Sequence, residues 1–122
     1  MHRHRVLVVE DDADSREPIA EVLTQEGFEV EIATDGAEAL AQLGSGGRPC
    51  VVLLDLRMPG MDGFEFRTEQ MRDPALAKIP VVMLSGDDFV DEKALELGIQ
   101  HFIRKPIDVD HLIDLIEHAC HA

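Results

Sequence analysis

The sequence predicts an α/β fold, a doubly wound parallel sheet of five strands with five helices, in one domain of residues 1–122. The length of 122 residues fits a single domain with a core of its own. Apolar runs without alternation, such as residues 51–54, are typical of strands that helices cover on both faces. Segments of strand and helix character alternate along the chain without an internal repeat, which favours a doubly wound sheet.

The composition is that of an ordinary soluble chain, 45% hydrophobic and 30% charged, without a run that could cross a bilayer. The basic start, Met1–Arg5, lacks the apolar core and cleavage site of a signal peptide, so a cytoplasmic location is predicted, away from the membrane. A formal net charge of −14 argues against direct nucleic-acid binding, because phosphate backbones require clustered cations. It favours a partner with a basic patch, or bound cations.

The first strand and helix are indicated by a buried apolar run and a helix-start signal. Arg5–Val9 is predicted as a strand. Asp14 and Glu17 have the spacing of a capping-box-like pair, with Pro18 tolerated in the first turn. Gly27 is predicted to end this helix.

The second strand is expected at an edge of the sheet, because apolar and polar residues alternate over Phe28–Ala33. Asp35 and Glu38 repeat the capping pattern for a short helix through Leu43. The glycine-rich stretch 44–49 is too short and too central to be a domain linker.

The middle of the chain continues the alternation. The apolar run 51–54 is followed by a helix from about Gly63 to Met71, which Asp73–Pro74 closes. Pro80–Leu84 is predicted as the fourth strand, and a fourth helix is expected over about Phe89–Leu97.

The last strand and helix complete the predicted fold. His101–Ile103 is a short fifth strand, and Asp108 is expected to cap the final helix. Its apolar stripe consists of Leu112, Ile113, Leu115, Ile116 and Ala119. The two cysteines, Cys50 and Cys120, form neither a disulfide framework nor a metal cluster by their number and spacing, and both are predicted to be small buried hydrophobic residues.

Chemistry-bearing residues follow four of the predicted strands, whose carboxyl ends form the functional edge of such sheets. They are Asp11 and Asp12, Asp55, Ser85, and Lys105. Carboxylates a few ångströms apart repel by about 4 kcal/mol per pair at a dielectric near 20, a cost that Mg²⁺ would offset. Lys105 offers a point charge for a phosphate and Ser85 a hydroxyl donor. The set suits phosphoryl transfer, with Asp55 as the nucleophile.

These motifs give the chain a resemblance to the receiver domain of two-component response regulators, from about Arg5 to Cys120. The most specific motifs are Glu10–Asp12 after the first strand, Asp55–Gly63, Leu84–Gly86 and Lys105–Pro106. The resemblance implies a flavodoxin-like sheet of order 2-1-3-4-5. It also implies a cis Lys105–Pro106 bond.

By this resemblance, Asp55 would accept a phosphoryl group from the phosphohistidine of a histidine kinase or phosphotransfer protein. Asp12 and Asp55 would bind Mg²⁺ directly, together with the backbone carbonyl of Arg57. Asp11 would hold a metal-bound water. The reaction would be self-phosphorylation and autodephosphorylation of Asp55, rather than turnover of a separate substrate.

The resemblance also implies a switch. Ser85 and Lys105 would contact the phosphoryl oxygens, and Phe102 would be the aromatic switch residue, where tyrosine is commoner. The changed surface would comprise the fourth helix, fifth strand and fifth helix, for a downstream protein or output domain. The motifs are compatible both with a complete single-domain regulator and with one part of a longer protein.

Three alternative functions make different demands on the sequence. A nucleotide- or flavin-binding module requires a Gly- or Thr-rich phosphate loop after the first strand, where this chain has the carboxylates of Glu10–Asp12. A dehalogenase-type phosphatase requires an Asp-x-Asp pattern there and a cap domain. A pseudo-receiver that only docks proteins is the remaining alternative, and the presence of Asp12, Asp55, Ser85 and Lys105 counts against it.

Overall fold

The computed structural model describes residues 4–45, 49–56, 58, 60–85, 95–99, 101–104 and 107–120, with the backbone alone at Ser85. The strands are β1 (Arg5–Val9), β2 (Glu29–Ala33), β3 (Val51–Asp55), β4 (Val81–Ser85) and β5 (His101–Arg104). Every neighbouring pair is parallel and the order is β2-β1-β3-β4-β5. The predicted fold class and strand order are confirmed.

The helices within the described ranges lie on both sides of this sheet. They are α1 (Ala13–Gln25), α2 (Gly36–Gly44), α3 (Gly63–Met71), α4 (Pro74–Ala77) and α5 (Val109–Cys120). The helix predicted over about Phe89–Leu97 lies mainly outside the described residues, which include the helical residues 95–96. In the part of the chain that the structure covers, no helix has the length and apolar character needed to span a membrane.

Two helix starts differ from the prediction. Helix α1 begins at Ala13, and its N-cap is Asp12, whose extended backbone lets the side chain accept a hydrogen bond from the Asp14 N–H. Asp14 is therefore a first-turn residue and not the cap. Asp73 caps a further helix, the single turn α4, instead of only closing α3. At α1, more than one neighbouring aspartate could serve as the N-cap, and the backbone conformation decides which one does. At α4, an Asp-Pro pair can end one helix or begin the next, because proline is favoured in the first turn of a helix.

Two apolar layers form the core, one on each face of the sheet. Alternate residues of β1 point to opposite layers: Leu7 and Val9 join the layer under α2 and α3, and Val6 and Val8 join the layer under α1 and α5. All four are at most 2% exposed. Because helices cover both faces, the strands need no polar side, which explains their continuous apolar runs.

A buried polar network ties α3 to the segments that follow it. The Gln70 side chain is fully buried, and its Nε2 donates to the backbone oxygens of Leu76 at 2.8 Å and Ile79 at 3.1 Å. Arg67 donates from Nη1 to Gln70 Oε1 at 2.9 Å and from Nε to the Leu97 oxygen at 2.9 Å. Burial lowers the pKa of the Arg67 guanidinium by desolvation.

Gln70→Leu is expected to lower the free energy of unfolding, since it removes the Gln70 donor from two backbone oxygens and the acceptor from Arg67. Each buried polar group that loses its hydrogen bond costs about 1–3 kcal/mol. Urea unfolding measures the change. The matched control is Arg72→Ala, because Arg72 is 72% exposed and its ion pair with Glu69 should contribute about 0–1 kcal/mol. Equal unfolding midpoints for the two variants would contradict the role given to Gln70.

The prediction for the cysteines is wrong, because Cys50 and Cys120 form a disulfide, with Cα atoms 5.1 Å apart. Cys50 immediately precedes β3 and Cys120 is the last residue of α5. Helix α5 packs over β3, which brings together two residues separated by 70 positions. Both side chains are half-buried against the α1 and α5 layer of the core.

Candidate functional site

Three carboxylates meet at the carboxyl-terminal edge of the sheet. Glu10 and Asp11 follow β1 directly, and Asp55 is the last residue of β3. One carboxylate oxygen from each of these residues lies within 4.8 Å of the others. The register explains the meeting: Val9 of β1 is opposite Leu54 of β3, so the next position along each strand is Glu10 and Asp55.

The burial of the three carboxylates is unequal. Glu10 is 2% exposed and Asp55 5%, whereas Asp11 is exposed. The Glu10 backbone is held by two hydrogen bonds, from its N–H to the Ala33 oxygen at 3.1 Å and from Arg16 Nη1 to its oxygen at 3.0 Å. The site is thus built on fixed backbone and is open to solvent on the side of Asp11.

The donor set fits Mg²⁺. Magnesium is bound in proteins by one or a few carboxylates together with water and phosphate oxygens. Like charges this close cost about 4 kcal/mol per pair at a dielectric near 20, and a divalent cation offsets that repulsion. Glu10, Asp11 and Asp55 are therefore the residues of the described chain that could hold the ion.

Asp12 was predicted as a metal ligand, and the structure places Glu10 in the carboxylate cluster instead. The Asp12 carboxylate turns to α1, where it accepts hydrogen bonds from the Asp14 N–H at 3.2 Å and from Ser15 Oγ at 3.1 Å. The sequence held a signal for Glu10: it is the first residue after the apolar run of β1, as Asp55 follows the apolar run 51–54.

The turn after β3 packs tightly against Asp55. The Gly63 N–H donates to the Leu56 oxygen at 2.9 Å. A Cβ at Gly63 would lie 2.9 Å from the backbone oxygen of Asp55 and 3.0 Å from Leu56 Cα. Asp62 and Glu65 form a capping box that starts α3 at this glycine. Close backbone approach at Gly63 thus fixes the end of the strand that carries Asp55.

Several predicted site residues lie outside the described part of the chain. These are Arg57, Lys105 with the Lys105–Pro106 bond, and the side chain of Ser85. The Ser85 backbone ends β4, the strand beside β3, and the Leu56 N–H donates to the Leu84 oxygen at 3.1 Å. The backbone of position 85 therefore lies at the same sheet edge as Asp55.

Phe102, the predicted switch residue, lies in β5 opposite Met83 of β4. Its ring is half-buried and packs against the core layer that contains Met83 and Phe66. The position is neither fully inside nor fully exposed.

Comparison with known proteins identifies the family. The sequence model of one protein family, the response regulator receiver domain, matches residues 6–117 of this chain. The sensory transduction protein RegX3 of Mycobacterium tuberculosis (strain ATCC 25618 / H37Rv) is 40% identical over 110 residues, which are 88% of this chain and 47% of RegX3. The chain therefore spans about half the length of RegX3.

Solved structures agree with this family match. The chemotaxis protein CheY4 of Vibrio cholerae superposes with a TM-score of 0.89 at 28% identity, over 97% of this chain and 99% of that one. The signal receiver domain of a signal transduction histidine kinase from Syntrophus aciditrophicus gives 0.87 at 30% identity, over 97% and 90% of the two chains.

The family has a defined general chemistry. Phosphorylation on aspartate and Mg²⁺ at the acidic pocket are general features of receiver domains in two-component systems. The resemblance read from the motifs is confirmed, and the pseudo-receiver alternative is not favoured. The carboxylate edge, the doubly wound sheet and the family match lead to one conclusion: the chain belongs to the response regulator receiver domain family.

Proposed function

We propose that Asp55 is the phosphoacceptor of this receiver domain. The observation that carries the proposal is the cluster of Glu10, Asp11 and Asp55 at the end of β1 and β3, with carboxylate oxygens within 4.8 Å of one another. Asp55 is the member that a strand end and the close approach of Gly63 hold in place. A fixed nucleophile suits a reaction in which catalysis is mainly positioning and charge neutralisation.

In the proposed reaction, a carboxylate oxygen of Asp55 attacks the phosphorus of a phosphohistidine on a histidine kinase or phosphotransfer protein. The P–N bond breaks and its electron pair stays on the donor imidazole, which takes up a proton. Mg²⁺, when bound, supplies positive charge next to the phosphoryl oxygens. Glu10 and Asp11 would hold it together with Asp55, and the Arg57 carbonyl is a further proposed ligand.

Ser85 and Lys105 are proposed to contact the phosphoryl oxygens, and Phe102 to follow the movement of Ser85. The half-buried ring of Phe102 supports this, since its contacts with the core layer would differ between two positions, and a population shift requires such differential contacts. The partners would be a kinase or phosphotransfer protein and a downstream protein or output domain. The cytoplasmic location predicted from the sequence stays a prediction.

The test of the phosphoacceptor is incubation with acetyl phosphate and Mg²⁺, followed by intact mass. We expect the wild-type protein to gain one phosphoryl group, and Asp55→Asn or EDTA treatment to abolish the gain. Asp62→Asn is the matched control, because asparagine also caps helices well and α3 should form as before. An unchanged gain in Asp55→Asn would disprove the assignment.

The metal ligands are tested by calorimetric titration with Mg²⁺. Glu10→Gln removes one of the three clustered charges and is expected to weaken Mg²⁺ binding about tenfold, which corresponds to about 1.4 kcal/mol. Asp12→Asn keeps a good helix cap and should leave the affinity within about twofold. The reverse order of effects would return Asp12 to the metal site and remove Glu10 from it.

A further inference from the structure

A second cluster of reactive side chains lies at the opposite, amino-terminal edge of the sheet. It consists of His4 just before β1, Cys50 just before β3 and Cys120 at the end of α5. A ring nitrogen of His4 and the two Sγ atoms lie within 4.8 Å of one another. All three side chains are half-buried, so they are open to small reagents while their positions are fixed.

The composition of this cluster is that of a reactive cysteine pair. An imidazole beside a thiol favours the thiolate, which is the form that attacks disulfides. Backbone hydrogen bonds hold two of the three residues in place. The Glu29 N–H donates to the His4 oxygen at 2.9 Å, and the Cys50 N–H donates to the Arg5 oxygen at 2.8 Å. Partly exposed thiols with a histidine close by are the ones that react, whereas buried structural cysteines are inert.

We propose that Cys50 and Cys120 are a reversible thiol–disulfide site for small disulfides such as glutathione disulfide, and that His4 is a positioning residue that promotes the exchange. The structure holds the oxidised form, in which the two sulfurs are bonded. The exchange chemistry does not rest on the proposed phosphorylation of Asp55, because the cluster lies at the other edge of the sheet.

The exchange takes two steps. One cysteine thiolate attacks a sulfur of glutathione disulfide, a mixed disulfide forms, and one glutathione leaves as the thiolate. The second cysteine thiolate then attacks the protein sulfur of the mixed disulfide, closing the Cys50–Cys120 bond and releasing the second glutathione. The cysteine pair loses two electrons, glutathione disulfide gains them, and the two cysteine protons pass to the two released thiolates.

The oxidation state would act on the arrangement of α5. The disulfide joins the end of α5 to the residue before β3, and Asp55 is the other end of that five-residue strand. Oxidation adds a covalent link between α5 and the residue before β3, and reduction removes that link while the apolar contacts of α5 with its core layer stay. A change in the oxidation state of the cysteines would therefore act on the start of β3, the strand whose last residue is Asp55.

The test is equilibration of the full chain in buffers of varied glutathione to glutathione disulfide ratio, with acid quenching and intact mass. We expect wild-type protein to interconvert between a dithiol and an internal disulfide, two hydrogens lighter, across this range. Cys50→Ser and Cys120→Ser should each stop at a mixed disulfide with one glutathione. A wild-type pair that stays closed in excess glutathione, or open in excess glutathione disulfide, would overturn the proposal.

The role of His4 is tested by the rate of mixed-disulfide formation in single-cysteine variants, which cannot form the internal bond. His4→Gln should slow this rate several-fold, whereas His118→Gln, at an exposed position of α5, should leave it unchanged. Equal rates in the two histidine variants would remove His4 from the proposal. Incubation of the reduced protein with Zn²⁺ alone covers the remaining outcome: tight binding of one ion that blocks oxidation would overturn the exchange site in favour of a metal site.

Discussion

Reduction of the Cys50–Cys120 disulfide is expected to lower the free energy of unfolding by about 4 kcal/mol. The bond joins residues separated by 70 positions, so it removes much of the conformational freedom of the unfolded chain. A typical domain is stable by only about 5–15 kcal/mol, and the loss is therefore a large share of the total.

The measurement is urea unfolding of the oxidised protein and of the same protein in excess reductant, with the redox state checked by intact mass. The unfolding midpoint should be clearly higher for the oxidised protein. A variant with both Cys50→Ser and Cys120→Ser is the control, since its midpoint should not depend on the reductant. Identical midpoints for the oxidised and reduced wild-type protein would show that the disulfide contributes nothing to stability.

Gly63→Ala is expected to slow phosphorylation of the domain by up to about a hundredfold. A Cβ at this position would meet the Asp55 oxygen at 2.9 Å and Leu56 Cα at 3.0 Å, both backbone atoms of the strand end and its turn. Backbone cannot yield as a flexible side chain does, so the end of β3 and the start of α3 must move apart, and we expect this to displace Asp55. Misplacement of a reacting group by about 1 Å can cost about 10²-fold in rate. Overpacking should also cost about 1–3 kcal/mol of stability.

The rate of phosphoryl uptake from acetyl phosphate, followed by intact mass, measures the effect of Gly63→Ala. Gly44→Ala is the matched control: Gly44 is also a helix residue, and a Cβ there meets nothing within 4 Å outside its own helix. Its rate should equal that of the wild-type protein. A lowered melting temperature with an unchanged rate in Gly63→Ala would mean that the glycine serves packing alone.

The fold was predictable because its signals are local. The apolar run 51–54 has no polar alternation, which already indicates helices on both faces, and the structure buries all of β3. Strand ends were predictable in the same way, and they placed Asp55 at the functional edge. Helix starts were less predictable, because Asp12 and Asp14 both suit an N-cap and the backbone conformation at Asp12 decides between them.

The parts that sequence reasoning missed depend on the packing of distant elements. The carboxylate beside Asp55 is set by the register of β1 and β3, which brings in Glu10 and leaves Asp12 as the N-cap of α1. The disulfide depends on how α5 lies over β3, and a separation of 70 residues gives no local signal for it. Neither feature can be read from spacing within one segment.

The central claim is that Asp55 itself carries the phosphoryl group, and the most direct test is to locate the modification. Protein treated with acetyl phosphate and Mg²⁺ is reduced with borohydride, which converts a phosphorylated aspartate to homoserine, then digested and sequenced by tandem mass spectrometry. We predict homoserine at position 55 and at no other aspartate, and none at position 55 when Mg²⁺ is withheld. Homoserine at position 11 or 12 with an unmodified Asp55 would contradict the account.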